Sequence, residues 1–112
     1  VTEGRIDVYS FGPGIAKTWF TGIVDALLVA TSTPIDADST QVRFNFTVRK
    51  FDDAKMTSSV AKAFVGEINK QIQEDQPIWE NKAFLERPIL CDGDGPIGIF
   101  RTWCKQFYSE AA

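Results

Sequence analysis

The spacing of apolar and polar positions changes once along this chain, near residue 55, and divides it into a sheet-forming half and a helix-forming half. The clearest strand is Gln41 to Phe51, where Val42, Phe44, Phe46 and Val48 alternate with Arg43, Asn45, Thr47 and Arg49. A period of two puts these sets on opposite faces, one against a core and the other solvated or lining something polar. Arg5 to Phe11 carries Ile6, Val8, Tyr9 and Phe11 among polar positions and reads as an earlier strand. Gly12-Pro13-Gly14 follows, and Pro before Gly favours a type II turn with its left-handed residue at Gly14. Ile15 to Thr21 returns as a strand, with Trp19 and Phe20 adding β propensity. Gly22 permits a break or bulge, Asp25 to Thr33 supplies the third strand, and Pro34 to Ser39 is a loop. A meander of four antiparallel strands is the simplest arrangement.

Beyond Lys55 the period becomes helical. Val60, Phe64, Ile68 and Ile72 recur every four residues, widened by Ala61 and Val65, while Lys62, Asn69, Gln73 and Glu74 lie opposite. Ser58 or Ser59 is placed to cap this helix, which has roughly 18 residues and a length of roughly 27 Å. Gln76-Pro77 ends or kinks it, because proline lacks the N–H and restricts the residue before it. Ile78 to Lys82 then forms a short further turn with Pro77 at its first position. Glu86 to Pro96 is loop, and Ile97, Phe100, Trp103, Cys104 and Phe107 mark a second amphipathic helix over Ile97 to Ser109. Strands followed by helices predict an α+β fold, a single domain over 1–112 with helices on one face of an antiparallel sheet.

A chain of 112 residues buries roughly two-thirds of its unfolded surface when it folds compactly. Lys and Arg number 12 against 15 Asp and Glu, and no basic run stands out, which argues against nucleic acid as a partner. The apolar run Ile23 to Ala30 is interrupted by Asp25 and is too short for a membrane span. No signal-peptide pattern opens the chain, so a cytoplasmic location is expected, and a first residue of Val rather than Met suggests an excised segment. Cys91 and Cys104 read as two reduced core thiols.

Histidine is absent. That removes Ser-His-Asp and Cys-His catalysis and any imidazole metal site made by this chain alone. Asp92-Gly-Asp-Gly95 lacks the spaced third ligand and terminal Glu of a calcium loop and reads as a turn. Trp79, Trp103, Phe107 and Tyr108 read as core aromatics, with Arg101 and Lys105 as a solvated face beside them. Asp75 stands where the apolar stripe meets Pro77 and Trp79. A solvated acid is the simplest account of it, although a carboxylate at a helix C-terminus is mildly disfavoured by the dipole.

Three stretches resemble a known family: Asp75-Gln-Pro-Ile-Trp-Glu-Asn-Lys82, Pro88-Ile-Leu-Cys-Asp-Gly-Asp-Gly-Pro96, and Phe100-Arg-Thr-Trp103 with Gln106-Phe-Tyr108. Together with Tyr9-x-x-Gly12-Pro13-Gly14 and Leu27-Leu-Val-Ala-Thr-Ser-Thr-Pro34, they resemble the C-terminal end of Rieske-type non-haem iron oxygenases. The most similar groups are the oxygenase component of 3-ketosteroid 9α-hydroxylase and the cholesterol 7-desaturases. The resemblance implies a helix-grip-like sheet packed on the long helix around an apolar pocket. It also implies mononuclear Fe(II) held by two His and one carboxylate, with electrons delivered from a Rieske cluster and a reductase or ferredoxin. Asp75 matches the carboxylate ligand, with Glu74 one residue away as the alternative. Phe44, Phe46, Phe64 and Ile68 would line the pocket for a sterol-like or other bulky apolar molecule, or the core behind it. The iron-binding His and the Rieske segment would lie outside this sequence. Fe(II) is therefore expected only if those His are supplied, and no [2Fe–2S] site is expected from Cys91 and Cys104. Self-association is a further implication. The alternative is a non-catalytic helix-grip module that binds an apolar ligand or a partner chain without metal.

Overall fold

The computed structural model describes residues 3–109. Four strands, β1 (Arg5–Ser10), β2 (Ile15–Thr21), β3 (Ala26–Pro34) and β4 (Thr40–Val48), form one antiparallel sheet in chain order. The helices α1 (Ala54–Glu80) and α2 (Ile97–Cys104) follow, and a 3₁₀ turn continues α2 over Lys105–Phe107. This is the expected α+β meander, with β2 at its expected bounds and the ends of the other strands shifted by at most three residues. Register rows show how alternation becomes two faces. Ile6, Phe20, Ala26 and Val48 lie abreast, as do Val8, Thr18, Leu28 and Phe46, and these rows form the helix side. Asp7, Trp19, Leu27 and Thr47 form a row on the other side.

The first hairpin differs from its expected turn. Its left-handed residue is Gly12, at φ 92°. Gly14 serves close approach instead, because a Cβ there would stand 3.0 Å from the Ser32 carbonyl oxygen. Gly22 combines both demands, with φ 106° and a virtual Cβ only 2.4 Å from the Glu3 carbonyl oxygen. The β3–β4 connection is held by Asp36, whose Oδ1 accepts from the Asp38 N–H at 2.9 Å.

The long helix departs most from expectation. It has 27 residues, about 40 Å, and Pro77 lies inside it. It begins earlier than Ser58 because Asp53 is the cap, its Oδ1 accepting from the Lys55 N–H at 2.7 Å. Thr57 Oγ1 reinforces that end, accepting from the Phe51 N–H at 3.0 Å and donating to the Asp53 carbonyl at 2.9 Å. Ile78 to Lys82 forms no separate helix, since the last turn is tied across the proline. Gln76 Nε2 donates to Glu80 Oε1 at 2.6 Å, and Asn81 Nδ2 donates to the Pro77 carbonyl at 2.8 Å. The ring costs only one main-chain bond on a helix exposed on all sides here, where water can take the freed carbonyl.

The interior is small. Among the described residues only Ala26, Leu28 and Cys104 are buried. The accessible surface is 9540 Å², against roughly 6200 Å² for a compact monomer of 12.5 kDa. The radius of gyration, 17.1 Å, likewise exceeds the roughly 13 Å expected at this length. About half of the unfolded surface is removed, not two-thirds. Cys91 is exposed and only Cys104 is interior, so a pair of core thiols is not formed. Of the terminal aromatics Trp103 is half-buried, tilted on Phe100 at 5.7 Å and edge-to-face with Phe107 at 5.0 Å, whereas Trp79, Phe107 and Tyr108 are exposed. Arg101 is no free surface cation, because its Nη1 donates to the Leu85 carbonyl at 2.5 Å and its guanidinium lies 4.5 Å from the Phe84 ring centre.

Two outcomes follow from these turns. Gly22→Ala forces a side chain into left-handed backbone against the Glu3 carbonyl and lowers stability by about 2 kcal/mol or more, measured by urea denaturation. Hydrogen bonds from the Asp38 N–H and the Ser39 side chain hold the Asp36 carboxyl below its ordinary value. Its contribution is therefore complete above the unfolded value and disappears as pH falls through the lower folded one. A carboxyl-carbon NMR titration should place Asp36 below the same residue in urea-unfolded chain.

Candidate functional site

Helix and sheet meet at an aromatic cluster. Phe64 sits edge-to-face on Phe20 at 5.1 Å and on Phe46 at 6.3 Å. Phe20 and Phe46 reach it because they occupy neighbouring rows of the helix side, from β2 and β4. Phe44, one row further along β4, and Ile68, one turn further along α1, are half-buried on the same side. The four residues expected to form an apolar wall thus face one interior, with Phe46 and Phe64 in direct contact. Phe20 belongs to this cluster as well as adding β propensity to its strand. Its parity with Thr18 and Ala16 was the signal that could have placed it inward.

Asp75 stands apart from the cluster but in line with it. It follows Phe64 by eleven residues and Ile68 by seven, which returns it to within about 20° of both on the helix surface, about 16 Å beyond Phe64. Ile72 precedes it and Ile78 and Trp79 follow it at helical spacing, so the carboxylate interrupts a continuing apolar stripe. Every residue from Gln73 to Glu80 is exposed, because the helix outruns the sheet beneath it. Asp75 makes no hydrogen bond or ion pair among the described residues. Glu74 lies about 80° round the helix from Phe64 and faces Lys70, 3.9 Å away. Of the two acids, only Asp75 shares the azimuth of the apolar wall.

No group of three His, Cys, Asp or Glu that could hold a metal occurs among the described residues. One carboxylate with no imidazole does not make an iron site. The donor set fits iron only as a single ligand of a site completed from elsewhere. Asp92 to Gly95 is a turn closed by Asp94, whose Oδ2 accepts from the Cys91 N–H at 2.7 Å.

The opposite sheet face holds a recess of about 400 Å³ that the sequence reading did not anticipate. Trp19, Leu27 and Thr47, one register row, form its floor, and Asp25 and Arg49 stand at its rim. Arg49 Nη1 lies 3.0 Å from Asp25 Oδ2, and the Arg49 N–H donates to the Asp25 carbonyl at 2.9 Å. No described helix is long and apolar enough to cross a membrane.

Comparison with known proteins agrees with the residue pattern. Residues 3–108 match the family described as the 3-ketosteroid 9alpha-hydroxylase C-terminal domain. The chain is similar to a 3-ketosteroid-9-alpha-monooxygenase oxygenase component of Rhodococcus rhodochrous, 31% identical over 78% of this chain and 23% of that protein. A cholesterol 7-desaturase of Caenorhabditis elegans is 32% identical over 98% of this chain and 25% of its own length. The oxygenase component of Mycolicibacterium smegmatis is 29% identical over 98% and 31% respectively. The matched part of the chain thus spans 23–31% of the length of these relatives.

Cluster and acid respond differently to truncation. Phe64→Ala removes a half-buried ring with two aromatic partners and lowers stability by about 2–3 kcal/mol. Asp75→Ala, which removes an exposed side chain with no partner among the described residues, shifts it by less than about 0.5 kcal/mol in the same denaturation measurement.

Proposed function

Because the chain belongs to the 3-ketosteroid 9alpha-hydroxylase C-terminal domain family, we propose that it is the C-terminal segment of a Rieske-type oxygenase catalytic domain acting on a sterol-like or other bulky apolar substrate. In this reading Asp75 supplies the one carboxylate of an iron site whose two His come from polypeptide outside these 112 residues. The observation that carries it is the azimuth of Asp75, an acid with no partner among the described residues, set into the stripe that bears Phe64 and Ile68. Bound there, iron(II) would supply oxygen-activating redox chemistry.

The chain's own contribution is placement and exclusion. Asp75 presents a carboxylate oxygen on the same side as the apolar wall, while Lys70 occupies Glu74. Phe44, Phe46, Phe64 and Ile68 offer a surface that receives a rigid apolar skeleton and withholds water from it. The relatives' description as oxygenase components supports electron delivery by a separate reductase or ferredoxin.

The test is metal content. We would co-express the chain with the remaining portion of the Mycolicibacterium smegmatis oxygenase component, which carries the His in this reading. Purified complex is expected to hold close to one iron per chain, to lose it on Asp75→Ala and to keep it on Glu74→Ala. A complex without iron, or one indifferent to Asp75→Ala, overturns the assignment. Apolar ligand bound without metal at the Trp19–Leu27 recess would then favour a non-catalytic binding module.

A further inference from the structure

The sheet face opposite the aromatic cluster carries more positive than negative charge. Its outward positions hold Arg5, Lys17, Arg43 and Arg49 against Asp7 and Asp25, in a chain whose formal net charge is −3. The two ion pairs on this face are made differently. Arg5 engages Asp7 through both Nε and Nη2, at 3.0 and 2.8 Å. Arg49 meets Asp25 through Nη1 alone, and its Nε and Nη2 have no acceptor among the described residues. A guanidinium presents its donors in a planar fork matched to a carboxylate. Arg49 therefore keeps capacity for a second anion.

That capacity opens onto the recess of about 400 Å³ floored by Trp19, Leu27 and Thr47. Sites for small molecules have volumes of this order and are mostly apolar, with polar groups at a few points. Trp19 keeps 46% of its surface open, which leaves a ring face for a flat molecule to lie against. Arg49 follows Thr47 by two residues, so it stands about 7 Å along the strand direction from the floor row. A second recess of about 300 Å³ shares Asp25 and Arg49 with the first and adds Lys50. Apolar floor and free positive charge thus succeed one another along one line.

We propose that this recess is a binding site for a small amphipathic anion, a fused-ring apolar body that bears a carboxylate on a short side chain. The rings cover Trp19 and Leu27. The carboxylate accepts from the unused Arg49 donors, and Lys50 adds positive charge beyond them. A cationic molecule fits less well, because it meets Arg49 and Lys50 beside the one acid, whose Oδ2 is already engaged. The recess lies across the sheet from Phe64 and the apolar wall, so the site requires neither iron nor Asp75.

Binding of 1-pyrenebutyrate and 1-pyrenebutanol, which share a ring body and differ in their charged or neutral end, tests the site on the purified chain. The carboxylate is expected to bind at least about tenfold more tightly than the alcohol. The largest NMR shifts are expected at the Trp19 indole and at the amides of Leu27, Thr47 and Arg49. Arg49→Gln should bring the carboxylate down to the affinity of the alcohol, and Trp19→Ala should weaken both about tenfold. Both side chains are exposed, so neither change should alter the circular dichroism of the chain. Absence of binding, equal binding of the two probes, a preference that survives Arg49→Gln, or shifts centred on Phe44, Phe46 and Phe64 overturns the site. The same titration on the co-expressed complex separates it from the oxygenase reading. Iron without carboxylate binding removes the recess and keeps that reading, whereas carboxylate binding in a complex without iron does the reverse.

Discussion

The contact of Phe64 with Phe20 and Phe46 joins two halves that otherwise form from local information. The sheet is a meander of neighbours in sequence, and α1 is a helix by period and capping, so each is specified without the other. What relates them is the stripe centred on Phe64, lying across the inward rows of β2 and β4. A helix of about 40 Å on a four-strand sheet about 14 Å wide between its edge strands cannot be covered along its whole length. The position of Asp75 beyond that footprint follows from this mismatch.

The same mismatch explains why the molecule exposes so much apolar surface. Ala26 and Leu28 on β3 are enclosed because strands flank them on both sides and an aromatic cluster lies above. Outward from β3 the enclosure thins, and on the last eight residues of α1 it is gone. An interior so unevenly filled fits a chain matched to one domain of proteins three to four times its length. Asp75 shares one helix face with Phe64 and Ile68, the helical half of the apolar wall, and stands beyond them on open surface.

Much of this was legible in the residues. Alternation in Gln41 to Phe51 located β4 and its inward set, and the recurrence from Val60 to Ile72 located α1 and its facing side. Local signals that act through one atom were read less well. Asp53 competes as a cap with Ser58 and Ser59, and only the geometry of its carboxylate and the Lys55 N–H decides between them. Pro77 is a reliable stop where the freed carbonyl would be buried, and a weak one where water reaches it. Which glycine of Gly12-Pro13-Gly14 takes positive φ depends on how Gly14 meets Ser32, a contact between distant residues. Arg101 looked like surface charge because its partners, Phe84 and Leu85, come from a loop without any period of its own.

Pro77 gives Asp75, with its neighbour Glu74, a main-chain setting that Glu67 and Glu80 on the same helix do not share. The ring deprives the Gln73 carbonyl of its main-chain donor, so the turn from Gln73 to Pro77 is held by one main-chain bond fewer than the turns before it. Asp75 lies at the middle of that turn. The Phe64 anchor lies three turns away from this carboxylate, while Asn81 and Gln76 keep the far end wound. The missing main-chain bond thus falls in the one turn where the stripe changes from oil to charge.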